Sequence, residues 1–168
     1  MGQQAIEKRT WHEQSLSYPA LGAMVGGFVG LLGIFIGWFA HDVLVTDGQT
    51  AVIVASGTAD LTGQLATVGA VLAFGGGGAM LLLADSTFSR WATLAAAAGA
   101  AALVVFSVLG LFRADAVFAD AAAVAGTAGV ARSSFGAYLS ALGGIAAVAA
   151  VMVTFARGGD AIDEANIP

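Results

Sequence analysis

Four stretches of about twenty residues, each apolar and free of Asp, Glu, Lys, Arg and His, make up about half of this chain: residues 20–40, 65–84, 91–112 and 135–156. At about 1.5 Å rise per residue, a helix of that length is about 30 Å long, the thickness of a bilayer's hydrocarbon core. The pattern predicts an all-α membrane protein with four transmembrane helices and a short extracytoplasmic β-hairpin between the first two. It assigns residues 1–19 to a cytoplasmic tail, 41–64 to an external hairpin loop and 85–90 to a cytoplasmic turn. Residues 113–134 form a second external loop and 157–168 a second cytoplasmic tail, so the whole chain is one polytopic membrane domain. Hydrophobic residues are 58% of the chain and charged residues 10%, against about a quarter charged in soluble domains. The apolar run after the first eighteen residues exceeds the about 7–15 residues of a signal-peptide core, and bulky Trp38 stands where a small residue should precede a cut. An uncleaved first helix is expected.

The chain has no cysteine, which excludes disulfides, thiolate metal sites, haem thioether attachment and thiol catalysis. A net charge of −5 argues against a nucleic-acid partner. The basic residues are Lys8, Arg9, Arg90, Arg113, Arg132 and Arg157. Four spans put both termini on one side, with Lys8, Arg9, Arg90 and Arg157, and leave only Arg113 and Arg132 on the other. The excess favours cytoplasmic termini in a bacterial plasma membrane, and the heavy use of Ala, Gly and Val is that of GC-rich bacterial genomes. Tyr18, Trp38 and Trp91 lie near span ends, where an aromatic belt is expected.

The first external loop carries two β-branched runs, Val43-Leu44-Val45 and Val52-Ile53-Val54, around Asp47-Gly48. Asp-Gly supplies the positive φ angles of a type I′ turn, so a hairpin is the natural reading, with an irregular loop as the alternative. A lone hairpin is marginal in water. This one is expected to rest on the second external loop, on the membrane surface or on another protein. In that second loop Val117, Ala121 and Val124 recur at i, i+4 and i+7, as on the apolar face of a short helix, before Gly126-Thr127-Ala128-Gly129 breaks it. The short cytoplasmic turn makes the second and third helices antiparallel neighbours. The acidic end around Asp160, Asp163 and Glu164 reads as a solvated tail.

The glycines carry the most detail. Gly22, Gly26, Gly30, Gly33 and Gly37 form one stripe along the first helix, opposite Phe28, Leu31, Phe35 and Phe39. Without side chains there, another helix backbone can come close, and packing replaces the hydrophobic drive that lipid removes. Gly75, Gly76, Gly77 and Gly78 stand together in the second helix and cover every direction around its axis. They fit tight packing, or close approach of a lipid chain, a quinone or a partner helix. Gly136, Ser140 and Gly144 repeat the small-residue spacing in the fourth helix. These twelve positions form the expected helix-packing interface.

Catalytic and metal sites find little footing. His12 and His41 are the only histidines and fall on opposite sides of the predicted topology, so neither bis-His haem ligation nor a multi-histidine metal site forms within one chain. His41-Asp42 reads as an interfacial pair, with metal binding or pH sensing as the alternative. Serines and threonines occur in the spans (Thr67, Thr93, Ser107, Ser140, Thr154), but no acid or base there could activate them. No phosphate-binding loop, dinucleotide fingerprint or zinc-protease signature is present. Expected cofactors are none, apart from a bound lipid or quinone.

The layout of spans and loops, together with Gly136-Ala137-Tyr138-Leu139-Ser140-Ala141-Leu142-Gly143-Gly144 in the last helix, resembles small four-helix actinobacterial membrane proteins, including the tryptophan-associated transmembrane family. The resemblance implies a bacterial plasma-membrane protein and assigns no chemistry to any residue. The expected function is that of a non-enzymatic accessory or assembly subunit of a larger membrane complex, because small-residue stripes on several helices exceed what one compact bundle needs. A small carrier or lipid- and quinone-binding protein, and a homo-oligomer joined through the Gly26-to-Gly37 stripe, are the alternatives. Expected partners are membrane lipids and other membrane subunits.

Overall fold

The computed structural model describes the backbone of residues 2–45, 49–83, 88–125 and 130–164, and side chains within 18–43, 50–83, 88–119 and 131–156. Along the chain run α1 (Gly2–Ile36), β1 (Phe39–Val45), β2 (Gln49–Ala55), a 3₁₀ turn (Gly57–Ala59), α2 (Leu61–Leu82), α3 (Phe88–Leu111), α4 (Ala114–Ala125), β3 (Val130–Ser133) and α5 (Phe135–Glu164). Among the described residues, four helices are long and apolar enough to cross a membrane, over Tyr18–Ile36, Leu61–Leu82, Phe88–Leu111 and Phe135–Ala156.

Helix ends depart from the apolar runs where local backbone chemistry decides. The first helix stops at Ile36, four residues before its apolar run does, because Gly37 takes φ +125°, a conformation that side chains disfavour. Trp38 through Ala40 therefore lead into strand rather than helix. The same helix begins at Gly2, so the expected N-terminal tail is helical in its backbone. Pro19 marks the start of the apolar segment, removing one backbone donor. The second helix starts at Leu61, four residues early, because Asp60 caps it by accepting from the Thr62 amide at 3.2 Å. The fifth helix continues past its apolar run to Glu164, so the acidic end is helical too.

The four long helices form an up-down-up-down bundle in which α1 packs on α2 and α5, and α3 on α2 and α5. Close approaches show the antiparallel sense: Gly26 lies against Ala147 and Gly33 against Ser140, while Gly76 lies against Ala96 and Gly99 against Ala73. The interior is built almost wholly of Ala and Gly, with Ala23, Ala66, Ala70, Ala73, Ala96, Ala100, Ala137 and Ala147 buried. Leu103 is the large exception in mid-bundle, filling the space left by Gly30 and Gly144.

The expected hairpin is present, but as part of a three-stranded antiparallel sheet of order β2-β1-β3. Its register runs from Phe39 opposite Ala55 to Val45 opposite Gln49. The third strand comes from the 113–134 segment and pairs Phe39 with Ser133 through Asp42 with Val130. The hairpin thus leans on that segment, one of the supports its marginal stability called for. The Asp47-Gly48 turn, Gly126 through Gly129 and most of the link between α2 and α3 lie outside the described residues.

Candidate functional site

Polar chemistry concentrates where the sheet and α4 sit on the end of the bundle. Trp38 is fully buried there, a correction to its expected place in an interfacial aromatic belt. Its ring lies against Gly57 and Gly110 and edge-on to Phe39, with centroids 5.9 Å apart. Its Nε1–H donates to Ser140 Oγ at 3.0 Å, and the Ser140 hydroxyl reaches the carbonyls of Gly136 at 3.0 Å and Gly30 at 3.1 Å. A buried indole needs such an acceptor. Three segments supply the flat walls and the acceptor, so Trp38 closes this end of the bundle like a plug.

The two faces of the sheet differ. On one, His41 is buried and stacks on Phe118 of α4, with centroids 5.1 Å apart. The side chains of His41 and Asp42 alternate across the strand, so the two do not act as the pair their adjacency implied. On the other face, Asp42 accepts an ion-paired hydrogen bond from Arg132 Nη2 at 3.3 Å, and both groups reach solvent. An open cavity of about 300 Å³ lies beside Arg132, lined by Ala40, Val52, Val54, Arg132, Ser133, Ser134 and Phe135. The outer edge of β2 has no strand partner among the described residues, and Val52, Ile53 and Val54 on it are each about half exposed.

A second ion pair ties this end together. Arg113 Nε lies 3.1 Å from Asp60 Oδ2, joining the link between α3 and α4 to the cap of α2. Partial burial pushes the Asp60 carboxyl upward. Hydrogen bonds from the Thr62 hydroxyl and amide, the Arg113 charge and the Leu61 amide outweigh it and hold the group below its ordinary value. Ser133 Oγ donates to the Leu111 carbonyl at 2.6 Å, fastening β3 to the end of α3.

The expected packing residues are distributed unevenly. A Cβ on Gly22 would meet Ala150, one on Gly26 would lie 2.6 Å from the Gly143 carbonyl oxygen, and one on Gly33 would lie 2.6 Å from that of Gly136. Gly30 receives Leu103, and Gly144 faces Leu103 and Val104. Gly76 lies on α3 and Gly77 on α1. Gly37 is a helix terminator and not part of the helical stripe; its carbonyl accepts from the Gly136 amide at 3.0 Å. Gly75 has nothing within 4 Å, and Gly78 has only the Met24 sulfur at 3.9 Å, so neither supports close packing. The stripes are therefore filled within one chain. A homo-oligomer through Gly26 and Gly33 would have to displace α5.

Among the described residues no three His, Cys, Asp or Glu side chains gather as metal ligands. Ser107 Oγ and Thr154 Oγ1 are the buried side-chain polar atoms without a partner among the described residues. Sequence reasoning missed the Trp38–Ser140 contact and the Asp42–Arg132 pair, because their segments lie 102 and 90 residues apart, respectively. The chain matches no protein-family model, and neither a curated protein nor a solved structure shows significant similarity to it.

Proposed function

We propose that the protein is a four-span bacterial plasma-membrane protein that works by binding, as an accessory or assembly subunit of a larger membrane complex. Both termini then face the cytoplasm, and the sheet and α4 face outward, following the distribution of Lys8, Arg9, Arg90 and Arg157 against Arg113 and Arg132. The observation that carries the reading is the open β2 edge. Natural sheets guard such edges with charge, proline or cover. Here Gln49-Thr50-Ala51-Val52-Ile53-Val54-Ala55 has neither charge nor proline, and Val52, Ile53 and Val54 are exposed. Because the glycine stripes are occupied internally, the cap replaces them as the contact surface.

The test is site-specific photo-crosslinking in native membranes from position 53, with position 138 on the outer face of α5 as comparison. The reading expects a discrete adduct of one size from position 53, lost when Val52 and Val54 are replaced by Lys. A lone, monodisperse monomer with no adduct would end it. A second reading, a small lipid- or quinone-binding protein, draws support from the open notch at Gly75 on the bundle's outer surface. Lipid and quinone analysis of purified protein carrying Gly75→Leu separates the two.

A further inference from the structure

We propose that the cavity between the open sheet face and the start of α5 holds the headgroup of a zwitterionic phospholipid bearing a primary ammonium, with its phosphate on Arg132 and its ammonium on Asp42. The inference rests on the membrane reading above and deepens it by naming a ligand class. Three observations carry it.

The first is position. The cavity wall includes Phe135, the first residue of the apolar segment Phe135–Ala156. Phe135 is exposed, as is Ile36 at the end of the α1 segment. The site therefore stands at the level where the apolar belt of the bundle gives way to the polar cap, where lipid headgroups reside. The second is size. A volume of about 300 Å³ is at the lower limit of small-molecule pockets. It takes a headgroup, while acyl chains lie outside along the exposed aromatic and aliphatic surface of the bundle.

The third is charge. Ala40, Val52, Val54 and Phe135 form the apolar wall, and Arg132, Ser133 and Ser134 the polar one. A guanidinium has five N–H donors in a planar fork. The single contact with Asp42 leaves donors for two phosphate oxygens, the geometry that Arg recognises best. Asp42 does not itself line the cavity; it stands at its margin, opposite Val52 in the strand register and 3.3 Å from the lining Arg132 guanidinium, so the pair there is neutral overall. A dipolar headgroup matches a neutral pair, whereas an anion alone would meet the carboxylate. A primary ammonium donates hydrogen bonds to Asp42, and a quaternary one cannot. The Ser134 hydroxyl has no partner among the described residues, which leaves it free for a phosphate oxygen. The other ion pair at this end, Asp60 with Arg113, lines no part of the cavity.

The test is native mass spectrometry of full-length protein, delipidated in mild detergent and offered phosphatidylethanolamine, phosphatidylglycerol and phosphatidylcholine at equal concentration. The expected result is preferential retention of phosphatidylethanolamine. Arg132→Gln should weaken it roughly tenfold or more, the loss of a charge-assisted hydrogen bond. Asp42→Asn should erase the preference over phosphatidylcholine, and Arg113→Gln should leave retention unchanged. Val54→Trp, which fills the cavity and alters no charge, should also abolish it. Equal retention of all three lipids, no effect of Arg132→Gln, or displacement of lipid by millimolar inorganic phosphate would overturn the inference. A protein that resists carbonate extraction yet shows no headgroup preference sinks the lipid site alone; release by carbonate sinks the membrane reading with it.

Discussion

The middle of the bundle and its capped end solve opposite problems with different residues. In the middle, α1 and α5 meet through backbone: a Cβ on Gly143 would lie 2.6 Å from both the Gly26 carbonyl oxygen and the Gly30 amide nitrogen. Nothing there is polar beyond the helices' own hydrogen-bond ladder, apart from a few hydroxyls. At the capped end Trp38, Ser140, His41, Asp42, Asp60, Arg113 and Arg132 crowd within one small sheet and its supports. A helix pair held by Gly and Ala gains specificity from shape alone and tolerates no growth. The cap is held by directional contacts and leaves an edge and a cavity unfilled. Close packing therefore characterises the first region, and an open edge and cavity the second.

The contrast breaks most sharply at the glycines. Gly143→Leu should prevent assembly of α1 on α5, a loss of several kcal/mol that exceeds the usual overpacking cost of about 1–3 kcal/mol because the clash is with backbone. Gly75→Leu, one of the same residue type in open space, should leave the unfolding transition in detergent within about 0.5 kcal/mol. Equal effects of the two would erase the distinction between filled and open glycine faces.

At the boundary between the regions, Ser140→Ala strips Trp38 Nε1 of its acceptor. We expect a loss of about 1–3 kcal/mol, the cost of an orphaned buried donor, read as a lower melting temperature and a shifted indole fluorescence. Trp38→Phe combined with Ser140→Ala should recover part of that loss, since neither partner is then left unpaired. No recovery would mean that the plug acts through volume only.

The smallest effect belongs to the cap's ion pair. Asp60 has a folded-state pKa below its ordinary value, so in acid the unfolded chain binds more protons than the folded one. The stabilisation is present above the ordinary carboxylate pKa and disappears as pH falls through the lowered folded value. Asp60→Asn should flatten that portion of the stability–pH curve and cost about 1 kcal/mol at neutral pH, the usual worth of a helix cap. A curve of the same shape in the variant would remove Asp60 from the account.

How much of this could be read from the sequence follows the same division. The four long apolar helices were legible because apolar runs of that length leave few alternatives, and the hairpin because β-branched runs flank a turn dipeptide. The ends were not, since Gly37 stops one helix and Asp60 starts another by local geometry that hydropathy ignores. Strand β3 was invisible: Val130-Ala131-Arg132-Ser133 is four residues in an alanine-rich loop, and its extended form depends on pairing with β1. Four consecutive glycines point in every direction, so only the packed helices reveal that Gly76 and Gly77 have neighbours and Gly75 has none. Trp38 looked like an interfacial anchor because its partners, Gly57, Gly110 and Ser140, come from three other segments.

The amides of Ser134 and Gly136 donate to the carbonyls of Trp38 at 2.7 Å and Gly37 at 3.0 Å, so the start of α5 is stitched to the exit of α1. Until α5 forms, the Gly37 carbonyl and the Trp38 indole stay unmatched. A nascent protein stalled before α5 would thus hold its three strands over an indole with no acceptor, and the closing of that seam reports that α5 has docked on α1.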